Sequence, residues 1–331
     1  MPDISLSLII VLLLVLAAEF VNGWTDSPNA IATVVSTRVL SPSKAVAMAA
    51  VLNMVGALVT GTAVAVTIGK GIVMPEVIDL SVVAAAMLAI VLWSTLAWRF
   101  GIPTSESHEL VAGLAGAGLA AAGPSVLLWA GWQKVLIGLA FSTFFGFLLS
   151  MTVMTGLYWA LRRTRLSTIR GMFSKLQIVS AAFMAFSHGS NDGQKFMGVF
   201  TLALLMGGVL TQFTVPVWVM LLLGTTMGLG TAFGGWRIIR TMGFGITKLE
   251  PVNGFAAESS AALAILLASR FGIPLSTTHT IGTSIMGVGA TKRLSAVRWG
   301  MAREIVITWI ITFPACAALG YLFTLLLKLI F

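Results

Sequence analysis

Arg99-Phe100-Gly101-Ile102-Pro103-Thr104-Ser105-Glu106-Ser107-His108 returns later in the chain as Arg270-Phe271-Gly272-Ile273-Pro274-Leu275-Ser276-Thr277-Thr278-His279. Seven of the ten positions are identical, and Ser107 against Thr278 keeps a hydroxyl. A shorter echo accompanies it: Phe20, Gly23 and Asp26 recur as Phe186, Gly189 and Asp192. The second half of the chain therefore reads as an old copy of the first. The halves are 1–161 and 176–331, joined by a basic stretch, 162–175, with Arg162, Arg163, Arg165, Arg170 and Lys175.

The shared residues are polar, and the chain around them is not. Of 331 residues, 58% are hydrophobic and 9% charged, and the mean hydropathy is +0.99. A soluble domain carries about 25% charged residues. Ten apolar segments are expected: 4–40 (interrupted), 44–69, 77–98, 104–122, 126–161, 174–209 (interrupted), 214–240, 253–269, 276–291 and 298–330. Such runs suit helices that cross a bilayer core of about 30 Å. Barrel strands would alternate in shorter pieces. The expectation is an all-α polytopic membrane protein.

The net charge of +9 lies in loops and follows the excess of Lys and Arg on the cytoplasmic side. It lacks the aromatic interleaving of a nucleic-acid groove, so no nucleic-acid partner is expected. With 162–175 in the cytoplasm, Arg38, Lys44, Arg237, Arg240, Lys248, Lys292, Arg293 and Arg298 fall on the same side. Both termini then lie outside. No Lys or Arg precedes Arg38, so the start lacks the charged region of a signal peptide. The single cysteine, Cys316, sits in an apolar segment and reads as core.

Five segments per half make the second copy begin on the opposite side, so the repeats are expected to be inverted. Their broken helices would meet at the bilayer midplane. On this count the Ser105 motif enters from inside and the Ser276 motif from outside. Gly-Ile-Pro ahead of a Ser/Thr cluster is a helix stop followed by N-cap residues. Each motif is thus the expected start of a half-helix, and two such tips suit a small anion. The runs 22–29 and 188–195 are expected to be unwound, because Gly, Asp, Asn and Pro favour turns. Asp26, Asn29 and Asp192 there would hold Na⁺ or a proton.

Of eleven acids, Asp3, Glu76, Asp79, Glu250 and Glu304 lie near segment ends. The other six, Glu19, Asp26, Glu106, Glu109, Asp192 and Glu258, lie in or beside the motifs or within a span. All three histidines, His108, His188 and His279, are in the motifs. Ionisable groups within a membrane are costly and mark function.

These residues resemble the PiT family of inorganic phosphate transporters, in its bacterial low-affinity permease branch. The family's Gly-x-Asn-Asp core is matched by Gly23-Trp24-Thr25-Asp26 and Gly189-Ser190-Asn191-Asp192. Its Pro-x-Ser-x-[Ser/Thr]-His element is matched at Pro103–His108 and Pro274–His279. The resemblance implies a symporter in the cell (inner) membrane, a homodimer, that imports phosphate with a cation and uses no cofactor. Taken with the half-helix and charge patterns above, phosphate is expected at Ser105, Ser107, Ser276, Thr277 and Thr278. Cation or proton coupling is expected at Thr25, Asp26, Asn29, Asn191, Asp192, Lys195 and Glu258, with Glu258 alternatively the partner of a nearby base, and His108 and His279 either in support or packing the half-helices. Glu258 corresponds to Met87 in the first half, so it breaks the symmetry.

Two departures bear on the cation. Thr25 replaces the usual Asn, and Lys195 stands where the first half has Asn29. Lysine offers a metal no acceptor, and a buried lysine can exchange a proton. Protons are therefore expected ahead of sodium. The alternatives are a permease for another oxyanion, such as sulfate, and a membrane-embedded metal-dependent enzyme. The second lacks a His-Glu-x-x-His motif, a P-loop or a nucleophile elbow.

Overall fold

A computed structural model describes residues 5–330; Asp3 lies outside them. In chain order the helices are α1 Leu6–Thr25, α2 Pro28–Ser36, α3 Pro42–Val59, α4 Ala63–Gly71, α5 Leu80–Phe100, α6 Glu106–Ala122 and α7 Trp129–Ala140. Then come α8 Gly146–Leu161, α9 Leu166–Met206, α10 Val217–Ala232, α11 Trp236–Arg240, α12 Pro251–Arg270, α13 Thr277–Lys292 and α14 Trp299–Ile330. A π turn, Phe141–Phe145, joins α7 to α8. Six helices or fused pairs are long and apolar enough to cross a membrane, and Val217–Ala232 with Trp236–Gly245 forms a seventh bent by 64°. The expected all-α membrane architecture is the observed one. Segment 44–69 divides at Thr60–Thr62 into α3 and α4.

The halves pack by exchange. α6 lies on α14 and α13 on α8; α1 lies on α10 and α9 on α3; α1 lies on α5 and α9 on α12. Each contact has its counterpart when the halves are swapped.

The Gly-Ile-Pro motifs do more than start helices. Gly101 and Gly272 adopt left-handed backbone, φ 70 and 65, which ends α5 and α12 and turns the chain. α5–α6 and α12–α13 become hairpins. The outer ends of the first hairpin return together: Asp79 shares a cavity with Leu327, and Lys328 donates to the Ala121 carbonyl at 3.2 Å. The outer ends of the second meet at the other end of α14, where Glu250, Lys292 and Arg298 line one cavity. The hairpin tips, Ser105 and Ser276, meet between those two ends, so neither hairpin runs the full depth, against the expectation that 77–98 and 104–122, and their copies, each cross the bilayer. Relative to the 162–175 stretch, the first hairpin comes from the opposite end of the molecule and the second from the same end, the reverse of the expected entry. Each hairpin enters and leaves on one face.

The second correction concerns 188–195. The expected interruption there does not exist; α9 runs unbroken through it for 41 residues. Gly189 and Gly193 are notches rather than breakers. A Cβ on Gly189 would sit 2.0 Å from the Asn53 carbonyl oxygen, and one on Gly193 would sit 2.6 Å from Ala57 Cβ. The polar side chains bond back to their own helix: Ser190 to the Ser187 carbonyl and Gln194 to the Ser190 carbonyl, both at 2.7 Å. In the first half the break is real but short. Asn22–Thr25 stay helical, and the chain kinks only at Asp26–Ser27, ahead of Pro28, which has no N–H to continue the ladder. The basic stretch is shorter as a loop than its sequence implies, since α9 already begins at Leu166.

The buried apolar residues form two clusters. One takes Phe196–Leu204 of α9 with Leu114 of α6; the other takes Ala181–Ala185 of α9 with Ile285 of α13. The polar run 187–195 lies between them.

Candidate functional site

Ser105 and Ser276 are the N-caps of α6 and α13, and both are buried. Ser276 donates its hydroxyl to Ser105 at 2.8 Å, so the two helix starts meet tip to tip. Ser276 also accepts from the His279 amide at 3.2 Å. The first-turn amides of each helix have no partner within their own helix, and two positive dipole ends converge here. Such a junction favours an anion.

Two aspartates flank it. Asp26, at the kink between α1 and α2, accepts from Asn29 and from the Thr278 hydroxyl on Oδ1, and from Thr277 on Oδ2 at 3.2 Å. Asn29 also donates to Thr278 at 2.9 Å. Asp192, mid-way along α9, pairs with Lys195 at 2.6 Å and accepts from the same Thr277 hydroxyl at 3.1 Å. Lys195 is fully buried. Its remaining donors reach the Ser107 hydroxyl and, at 3.1 Å, the Leu275 carbonyl. Ser107 donates to that carbonyl at 2.8 Å.

The two carboxylates are not equivalent. Removing an ion from water costs several kcal/mol. Asp192 has a full counter-charge in Lys195, while Asp26 has only neutral donors. Ligand atoms of Asp26, His188 and Asp192 lie within 4.8 Å of one another, and Asn29 Oδ1 has no partner. A cation added here would meet Asp26 as its uncompensated charge.

The other expected residues take supporting or separate places. Thr25 donates to Glu106 at 2.8 Å, tying the end of α1 to the first turn of α6. Glu109 accepts from Ser94. Asn191 holds the approach to α13 through Ser269 at 2.9 Å, the Ile273 carbonyl and the Leu275 amide. His108 and His279 meet edge to face, ring centres 4.4 Å apart, and His279 stacks on Trp309 at 3.6 Å. They face each other rather than the aspartates. Glu258 stands apart, held by Thr33, Ser180 and Gln177.

His188 is the residue that sequence reasoning left out of the site. It lies 3.5 Å from Asp192, and its Nδ1 lies 3.2 Å from Asn53, which in turn bonds Ser27 and Thr231. Its place in the 186–192 motif was the signal; Asn53 gave none beyond being a single polar residue in an apolar run, and Thr231 gave none.

Comparison with known proteins gives the chain its family. A model of the phosphate transporter family matches residues 22–172 and 162–320. A Rhizobium meliloti protein described as a probable low-affinity inorganic phosphate transporter is 45% identical over 305 residues, covering 92% of this chain and 91% of that one. A Bacillus subtilis protein of the same description is 42% identical, covering 99% of this chain and 100% of that one. A solved structure titled as the sodium-dependent phosphate transporter superposes with a TM-score of 0.89 at 26% identity, covering 99% of this chain and 100% of that one. Helices, tips, paired aspartates and relatives agree: the chain belongs to the phosphate transporter family.

Proposed function

We propose that this protein imports inorganic phosphate by cation symport across the cell membrane. The observation that carries the reading is the tip-to-tip meeting of α6 and α13 beside a buried aspartate that has no counter-charge. Phosphate binds between the tips when Ser105 and Ser276 exchange their mutual hydrogen bond for anion oxygens. Ser107, Thr277, Thr278 and first-turn amides complete the cradle. The positive charge that offsets the anion in low dielectric arrives at Asp26.

Inverted repeats suit this role. The two hairpins open toward opposite ends of α14, so movement of one half against the other exposes the junction to one face and then the other. On the distribution of basic residues the Arg162 end is cytoplasmic, with both chain ends outside.

The ion is a proton on this reading. Lys195 already fills the cation's place at Asp192, with its hydrogens committed to Asp192, Ser107 and the Leu275 carbonyl. Sodium is the second reading, favoured by the spacing of Asp26, His188 and Asp192 and by the unpartnered Asn29 oxygen. Purified protein in liposomes tests both. A proton gradient without sodium should drive phosphate accumulation; accumulation under a sodium gradient at fixed pH, with none under protons, overturns the first reading. Sulfate failing to compete with phosphate would exclude the broader oxyanion permease.

A further inference from the structure

A cavity rich in basic residues lies at the far end of α13 from its Ser276 tip. At the Arg162 end of the molecule, α8, α9, α12, α13 and the start of α14 surround a cavity of about 910 Å³. Arg162, Lys248, Lys292, Arg293 and Arg298 line it, all exposed. Among the described residues none of the five has a carboxylate partner; Glu250, the one acid in the lining, faces Arg170 at 3.9 Å. Arg162 lies over the Trp159 ring, and Arg298 donates to the Phe244 carbonyl at 2.9 Å, so both guanidiniums are held in place. Polar residues such as Thr247, Asn253 and Thr291 complete the charged part of the lining. Leu157, Leu161 and Val252 add an apolar part on α8 and α12.

We propose that this cavity binds an anionic phospholipid. Its phosphate would sit among the five cations, and the upper part of its acyl chains against the leucines of α8. Two observations select a lipid over a free anion. The charged lining is continuous with apolar lining, which a soluble phosphate would leave unused. The cavity also stands at the ends of the long apolar helices α8 and α14, the place where basic pockets of membrane proteins meet lipid headgroups. The elements it joins give the site its consequence. It bridges the loop between the halves with the outer ends of the α12–α13 hairpin, whose tip carries Ser276. A bound lipid would fasten that hairpin to α8 and α9.

The probe is short-chain phosphatidylglycerol, titrated onto purified protein and counted by native mass spectrometry, with phosphatidylcholine of equal chain length as reference. Phosphatidylglycerol should bind at one high-affinity site and phosphatidylcholine should not. The triple variant Lys248→Gln/Lys292→Gln/Arg293→Gln should weaken binding about tenfold or more, and Lys292→Gln or Arg293→Gln alone about fivefold. The control Lys70→Gln/Lys134→Gln/Lys328→Gln should leave it unchanged. Gel filtration and phosphate uptake in phosphatidylcholine liposomes check that each variant is folded, and the single variants serve if the triple one is not. Unchanged affinity in folded site variants overturns the proposal. So does displacement of the lipid by inorganic phosphate or glycerol phosphate at equal concentration, which would make this a free-anion site.

Discussion

Lys195 and Asp192 lie one turn apart on α9, both fully buried, with their charged groups 2.6 Å apart. Removing one member of such a pair strands the other. Lys195→Met should therefore lower stability by about 3–5 kcal/mol. The double variant Lys195→Met/Asp192→Asn should recover much of that loss without recovering transport. Thermal unfolding of the detergent-purified protein measures the first, uptake the second. A wild-type melting temperature for Lys195→Met would mean the pair contributes nothing to the fold.

The two N-caps should matter to phosphate more than to folding. Ser105→Ala and Ser276→Ala each remove a donor from a desolvated junction, worth about 1–3 kcal/mol. Phosphate uptake should weaken by roughly tenfold in each. Ser276→Ala also frees the His279 amide, so it should be the more harmful. Unchanged uptake in both singles and the double would remove the cradle from the mechanism.

Much of this was legible in the residues. Proline followed by serine announced both half-helix starts, because that pairing stops one helix and caps the next. Pro28 announced the kink. The continuity of α9 was not legible. Gly189 and Gly193 look like breakers until Asn53 and Ala57 of α3 are seen against them. Nor was the hairpin form of α5–α6: an apolar run of 21 residues reads alike whether it crosses or returns. Glu258 was grouped with the aspartates on its charge alone, and only packing shows that Thr33, Ser180 and Gln177 enclose it elsewhere.

The notch reading of Gly189 has its own test. Gly189→Ala should force α9 and α3 apart, costing about 1–3 kcal/mol or more because the obstacle is backbone. Gly171→Ala, on the same helix with open space around it, should be neutral or slightly stabilising. Melting temperatures of the two variants compare them directly. Equal melting temperatures would return Gly189 to a conformational role.

The repeats require the turn at Pro124–Val126 and the start of α9 to lie on opposite membrane faces. Single cysteines at Ser125 and Ser167, in a Cys316→Ala background, report this with an impermeant thiol reagent on intact cells. Ser125→Cys should label and Ser167→Cys should not. The reverse pattern would turn the protein over in the membrane; labelling at both would contradict the inversion.

Thr277 touches both carboxylates, at 3.2 and 3.1 Å, yet a hydroxyl carries one hydrogen. It can donate a well-aligned hydrogen bond to only one of two ionised carboxylates at a time. The two halves of the molecule thus compete for a single O–H, and its rotation about one bond is a two-position indicator of which aspartate holds the greater negative charge. A cation or proton settling on Asp26 releases the hydroxyl to Asp192. Because Thr277 is also the first residue of α13, that choice is felt at the helix start whose N-cap, Ser276, meets Ser105.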